Sequence, residues 1–180
     1  MRKNHALVDE QAGRLFHTDE AVEQAKNAAF RLLAARSRSR SEIIGRLQAR
    51  RFPEAAIQAA VETLERLGML DDRTFAVQWV ERRLESRPMG RPGLERELAE
   101  KGVPPDVAGR VLDEMLADRD PDHEALQVLR SRLNRYRGLD RDKALGRMCG
   151  LLGRRGFTGD VALAAALRLW KEIEEYPEGG

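Results

Sequence analysis

The chain of 180 residues holds a single cysteine, Cys149. An internal disulfide and a zinc site built on cysteine are therefore excluded. Histidine stands only at positions 5, 17 and 123, without the spacing of metal ligands. No apolar run approaches the roughly 20 residues of a membrane span, and Met1 to Glu10 lacks the apolar stretch of a secretory leader. These absences predict a cytoplasmic, soluble chain with no metal, no cofactor and no membrane partner. β-branched residues are also scarce: 10 Val, 4 Ile and 4 Thr stand against 23 Ala and 23 Leu. Strands favour the former and helices the latter, so the expected fold class is all-α. Lysine occurs only at 3, 26, 101, 143 and 171, which leaves 27 Arg among 32 basic residues. Acidic residues number 30, and the net charge is +2. That balance argues against a uniformly basic coat. Arg is the planar, bidentate donor suited to phosphate and carboxylate, although a GC-rich genome is an alternative source of the bias.

Residues before Ala21 carry no convincing apolar face and read as a flexible arm over 1–20. From Ala21 the apolar period becomes helical. Ala25, Ala28, Ala29, Leu32 and Leu33 form one stripe, and Ile43, Ile44 and Leu47 the next. Ser39 or Ser41 is the expected cap between them. Ile57, Ala60, Val61, Leu64 and Leu67 follow, with Gly68 as a helix stop. Phe75, Ala76, Trp79, Val80 and Leu84 begin a second round, which continues through Leu94 and Leu98 to Val107, Val111 and Met115. A third runs from Pro121 through Leu126, Leu129, Leu145, Met148 and Leu152 to Ala165 and Leu169.

These rounds align when anchored on Phe52, Val103 and Phe157. Five residues before each anchor stand Leu47, Leu98 and Leu152, and nine before stand Ile43, Leu94 and Met148. After the anchors the register Ile57, Val107, Val161 requires one residue of slippage in the first copy. The pattern predicts three tandem three-helix repeats of about 50 residues, over 21–69, 70–120 and 121–176, with a tail at 177–180. Such units contact chiefly their neighbours, so an elongated, curved body without a deep pocket is expected. That shape suits a long partner better than a small-molecule substrate, and a monomer is the expected state.

No phosphate-binding glycine loop, nucleophile elbow or carboxylate–histidine pairing at helical spacing is present. Asp71-Asp72 reads as a helix cap rather than an acid/base pair, Cys149 as a buried thiol, and Trp79 and Trp170 as core. Charge placement says more. Arg36, Arg38, Arg40, Arg50 and Arg51 belong to a run with Glu42 as its lone acid. Arg82, Arg83, Arg87 and Arg91 form a second cluster, and Arg130, Arg132, Arg135 and Arg137 a third. Pro104 to Glu124 is acidic by contrast. Three clusters at equivalent positions predict a binding stripe for phosphate backbone or an acidic protein groove; solvated helix faces paired with neighbouring acids are the alternative. Gly102 sits in what superficially looks like a helix-turn-helix. The would-be reading helix carries Asp106, Asp113 and Glu114, which suits base edges poorly, so any nucleic-acid contact is expected to be backbone-directed and salt-sensitive.

Leu70-Asp-Asp-Arg-Thr-Phe-Ala-Val-Gln-Trp-Val80, followed by Gly90-Arg-Pro-Gly-Leu-Glu-Arg-Glu-Leu-Ala-Glu-Lys-Gly-Val103, resembles the central signature of RecX regulatory proteins. Arg36-Ser-Arg-Ser-Arg-Ser-Glu42, with Leu47, Arg51-Phe52 and Leu67-Gly68, resembles that family's first repeat. The resemblance covers about Ala25 to Met115, and the third unit matches by pattern more than by identity. It implies a non-enzymatic regulator that binds the groove of the RecA–DNA filament, modulates and mostly inhibits strand exchange, ATP hydrolysis and coprotease activity, and binds single- or double-stranded DNA weakly. Asp71, Asp72, Phe75, Ala76, Trp79, Gly90, Leu98, Lys101 and Gly102 match the signature. Their expected roles are structural: Asp72 as cap, Phe75 and Trp79 as core, Gly90 and Gly102 as turn positions. The competing readings are a direct DNA-binding module or transcription regulator, an all-α enzyme, and a helical adaptor for another protein.

Overall fold

The computed structural model describes residues 3–176, with side chains from Asp19 onward. The tail at 177–180 and the side chains of His5 and His17 lie outside the described residues. Among those described, the chain forms nine α-helices and one 3-10 turn, with no strand. They are α1 (Lys3–Ala35), α2 (Arg40–Ala49), α3 (Glu54–Arg66), α4 (Asp72–Ser86), α5 (Arg91–Glu100), α6 (Pro105–Leu116), α7 (Pro121–Arg130), the turn Leu133–Arg135, α8 (Arg141–Arg154) and α9 (Gly159–Glu175). The all-α expectation is met. Helix α1 starts at Lys3 rather than near Ala21, so helical backbone extends into the segment read as an arm. The first proline of the chain is Pro53, and nothing upstream of it removes a helical N–H donor.

Local chemistry explains the boundaries. Ser39 caps α2, its Oγ accepting from the backbone N–H of Glu42 at 3.1 Å. Asp120 and Asp140 cap α7 and α8 in the same way. Gly68, Gly102, Gly138 and Gly156 take positive φ at helix ends. Arg51 does so as well, at φ 61, without being glycine.

The chain divides into two compact units. One holds the residues up to Phe75 together with Lys101–Val103; the other holds Ala76–Glu100 and the residues from Pro104 onward. The core of the first gathers Ala25, Ala29, Leu32, Ile43, Leu47, Ile57, Val61, Leu64 and Leu70. In the second, Leu126, Leu129, Met148, Leu152, Phe157, Ala162, Ala166 and Leu169 form a core, and Leu94, Leu98, Val111 and Leu112 are buried on α5 and α6.

Burial corrects the register. The buried residues five positions after the anchors are Ile57, Ala108 and Ala162; eight after, Ala60, Val111 and Ala165; nine after, Val61, Leu112 and Ala166. No slippage is needed, because Val107 and Val161 lie half-exposed one step off the buried stripe. Large apolar side chains drew the sequence alignment, whereas the helices turn alanine inward where packing is tight. Leu67 is a second correction: it caps α3 at its C-terminus and is 56% exposed. Trp170 is a third, half-buried on α9 with its indole N–H donating to Glu174 at 2.7 Å.

Candidate functional site

Three of the signature residues, Asp72, Lys101 and Gly102, meet at the N-terminus of α2. Asp72 Oδ1 accepts from the backbone N–H of Arg40 at 2.8 Å. Ser39, fully buried, donates from Oγ to the carbonyl of Lys101 at 2.5 Å. Lys101 Nζ lies 3.5 Å from Glu42. A Cβ at Gly102 would strike the side chain of Ser41, and its φ of +72 disfavours other residues as well. Asp71, not Asp72, caps α4: its carboxylate accepts from Thr74 Oγ1 at 2.6 Å and from the backbone N–H groups of Thr74 and Arg73. The expected cap role of Asp72 is thus corrected, since its oxygen serves the neighbouring helix. The hydroxyl and N–H of Thr74 hold the Asp71 carboxyl below its ordinary pKa. Burial holds that of Asp72 above it, against the bond from Arg40.

The second unit repeats this arrangement. Gly90 N–H donates to the carbonyl of Arg155 at 3.0 Å. A Cβ at Gly93 would sit 2.6 Å from the same oxygen, and one at Gly156 would meet the backbone of Gly93. Lys101 and Arg155 hold corresponding positions, two residues before the anchors Val103 and Phe157, as do Gly102 and Gly156. Backbone meets backbone at α5, so glycine is required at 90 and 93. Phe75, Ala76 and Leu98 are buried. Trp79 is only half-buried, which corrects its reading as plain core. Its indole N–H donates to Glu97 at 2.9 Å, Arg83 Nε donates to the same carboxylate oxygen at 2.5 Å, and the guanidinium groups of Arg83 and Arg82 lie 4.7 and 5.8 Å from the ring centroid. Such stacking favours a desolvated cation.

The candidate arginines differ in what holds them. Arg36 forms a fork on Glu42, with bonds of 2.9 and 3.1 Å. Arg40 pairs with Glu65, Arg91 with Glu95 and Asp113, and Arg130 in a fork with Glu172. Arg38 lies partly buried against α1: Nε donates to the Leu32 carbonyl, and Nη1 has no hydrogen-bond partner. Burial, then the nearby Arg36, lowers its pKa. Arg50, Arg51, Arg82 and Arg87 are exposed, with Arg82 Nε turned back onto the Gln78 carbonyl. Arg137 is half-buried and its Nε lacks a partner.

The remaining pair, Arg132 and Arg135, lines an open cleft of about 500 Å³ between the Leu133–Arg135 turn and α8. Three cations outside the predicted set complete it: Lys143, Arg147 and Arg154. Its floor is Tyr136, Leu151 and the bare helix surface at Gly146 and Gly150. No carboxylate lines it. Arg155 stands beside it, half-buried, with Nη1 on the Pro88 carbonyl at 3.4 Å and Nε unpartnered. Burial, then Arg132 and Arg87, lower its pKa. Lys143, Arg147 and Arg154 fall on one face of a helix, at i, i+4 and i+11, a spacing that forms no local run of charge in the sequence. Among the described residues no three His, Cys, Asp or Glu gather as metal ligands, and no helix is long and apolar enough to cross a membrane.

Comparison with known proteins agrees with this organisation. The family models described as RecX, first three-helix domain and RecX, second three-helix domain match residues 25–64 and 71–112. The regulatory protein RecX of Streptomyces lividans is 34% identical over 162 residues, spanning 88% of this chain and 84% of that protein. That of Mycobacterium avium (strain 104) is 37% identical over 146 residues, spanning 81% and 84%. A crystal structure of RecX from Lactobacillus salivarius superposes with a TM-score of 0.72 at 19% identity, covering 87% of this chain and 99% of that one. A second, of regulatory protein RecX, gives 0.73 at 18%, covering 92% and 77%. With Asp72, Lys101 and Gly102 at the N-terminus of α2, Gly90 at that of α5, and this identity sustained along most of its length, the chain belongs to the RecX family of regulatory proteins.

Proposed function

We propose that this chain is a non-enzymatic regulator of homologous recombination and the SOS response. It binds the groove of the RecA–DNA filament and mostly inhibits strand exchange, ATP hydrolysis and coprotease activity. Its three repeats span 21–69, 70–120 and 121–176, it acts as a monomer in the cytoplasm, and it needs no cofactor. Family membership supports the regulatory role. The recurrence of one contact, residue 39 on the carbonyl of 101 and residue 90 on that of 155, supports the repeat register. The observation that carries the binding reading is the sorting of arginines. Those held by carboxylates have a partner within the chain, whereas the acid-free group around Arg132 and Arg135 keeps its donors for an acidic or polyanionic surface. By spanning neighbouring recombinase subunits the chain would favour the filament state it binds preferentially, since a ligand shifts an equilibrium only through differential affinity.

The test is RecA-dependent strand exchange titrated with the wild-type chain and with the Arg132→Ala/Arg135→Ala variant. Inhibition by the former and weakened inhibition by the latter are expected. Arg137 is left in place because its Nε is buried. No effect of the wild type at stoichiometric amounts overturns the proposal. The second reading, a direct DNA-binding module, is favoured by the same acid-free cations. It requires tight, salt-dependent binding to bare DNA with no recombinase present.

A further inference from the structure

The segment joining α6 to α7 departs from the Arg-rich character of the chain. Pro104 to Glu124 holds seven acids against Arg110 and Arg119. Arg110 pairs with Asp106, and Arg119 with Glu124. Asp118, Asp120 and Asp122 are exposed, and among the described residues none of these three pairs with a cation. An open cleft of about 240 Å³ lies against the same segment. Leu116, at the end of α6, and Pro121, at the start of α7, line it together with Met89 and Phe157. Met89 and Phe157 are buried, Leu116 is half-buried and Pro121 is exposed, so the apolar lining runs from core to surface. Two cations reach this lining, and both are already held: Arg91 by Glu95 and Asp113, and Arg119 by Glu124. An apolar cleft left open beside unpaired carboxylates marks an interaction surface.

We propose that this cleft docks a cationic protein segment through one bulky apolar side chain. Its volume falls below the roughly 300–1,000 Å³ of small-molecule pockets and suits a single inserted side chain. The thioether of Met89 adapts to the shape of an entering group and gains from contact with an aromatic ring, so an aromatic anchor fits best. The wall at Gly90 is rigid: its N–H is held by the Arg155 carbonyl, and a Cβ there would strike the backbone of Gly156 and Phe157. A wall formed in advance lowers the ordering cost of binding. Charge selects the rest of the segment. Lysine or arginine beside the anchor meets Asp118, Asp120 and Asp122, and complementary potentials steer the encounter. The same three carboxylates repel a nucleic-acid backbone. The cleft shares no residue with the one lined by Arg132 and Arg135. The chain therefore presents two surfaces of opposite preference, one for a polyanion and one for a cationic protein.

The test uses the full chain and fluorescein-labelled peptides, with no recombinase. One peptide carries a tryptophan flanked on each side by lysines. In the controls alanine replaces the tryptophan, or glutamates replace the lysines. Fluorescence anisotropy should show the tryptophan–lysine peptide binding about tenfold or more tightly than its alanine control, through burial of the aromatic side chain. The glutamate peptide should not bind, and added salt should weaken the lysine peptides. Leu116→Lys sets a cation in the cleft and should abolish the preference for tryptophan. Asp118→Asn/Asp122→Asn alters exposed positions only; it should weaken the lysine peptides severalfold and reduce their salt dependence, with far-UV circular dichroism unchanged. In methyl NMR the Met89 signal should shift on adding the tryptophan peptide, while that of Met148, in the α8–α9 core, should stay. Equal binding of the tryptophan and alanine peptides, binding of the glutamate peptide, no binding at all, or a Met89 signal that does not move overturns the proposal. So does a concentration-dependent mass in sedimentation of the free chain that Leu116→Lys abolishes, since a second copy would then fill the cleft.

Discussion

Asp72 accepts the backbone N–H of Arg40 at 2.8 Å, so a residue at the start of α4 completes the N-terminus of α2. The first turn of any helix leaves N–H groups without an intrahelical partner. Ser39 satisfies one of these on α2, and Asp72 satisfies another from 32 residues away in sequence. The two adjacent carboxylates thus divide their work, Asp71 holding its own helix and Asp72 the other.

Removing that acceptor should destabilise the chain. Asp72→Ala is expected to cost about 1–2 kcal/mol and Asp71→Ala about 1 kcal/mol, the range for lost helix caps. Asp72→Asn keeps an oxygen in place and should lose less. Denaturant titration measures all three; equal losses in Asp72→Ala and Asp72→Asn would show that the bond to Arg40 contributes nothing.

The same two residues should act oppositely on acid stability. Bonds from Thr74 depress the Asp71 pKa, so its contribution is complete above the ordinary aspartate value and is lost as pH falls through the depressed one. Burial raises the Asp72 pKa. Its folded form binds a proton before the unfolded form does, which adds stability as pH falls. Asp71→Asn should therefore flatten the acid loss of stability and Asp72→Asn should steepen it. Thermal melts across the acid range read both slopes.

Two glycines separate backbone conformation from space. Gly138 and Gly156 have similar φ, +77 and +74, but a Cβ at Gly138 meets nothing, while one at Gly156 meets the backbone of Gly93. Gly138→Ala should cost about 1–2 kcal/mol, the left-handed penalty alone, and Gly156→Ala distinctly more. Arg51 occupies the register position of Gly102 and Gly156 at φ 61. Arg51→Gly should accordingly raise the melting temperature by removing that penalty.

Glu97 serves two donors, the Trp79 indole and the Arg83 guanidinium. Glu97→Ala leaves both partly buried groups without their acceptor and should cost about 1–3 kcal/mol. Glu97→Gln, which retains an oxygen, should recover part of it. Chemical denaturation measures the difference, and the fluorescence of the Trp170→Phe background reports the loosened Trp79.

Much of the fold was legible because burial follows period. Leu47, Leu98 and Leu152 are fully buried at one register position, as are Ile43, Leu94 and Met148 at another. The register after the anchors was misread because alanine and valine alternate there, and only packing decides which turns inward. The binding residues were harder. Arg36, Arg91 and Arg130 read as available cations, yet each meets a carboxylate on another turn or helix. Lys143, Arg147 and Arg154 drew no notice because their spacing breaks up any local run of charge.

The sequence by itself determined the helical class, most helix boundaries after α1 begins and most of the buried stripe, since propensity, capping and period are local properties of the chain. Tertiary structure alone decided which charges remain unpaired. Ion pairs such as Arg130 with Glu172 join residues far apart in sequence, and a cluster of like charge becomes a cleft only when a turn is laid against a helix. The net charge of +2 is a sum over the chain, whereas the field a ligand meets depends on which carboxylates folding has already brought to each cation.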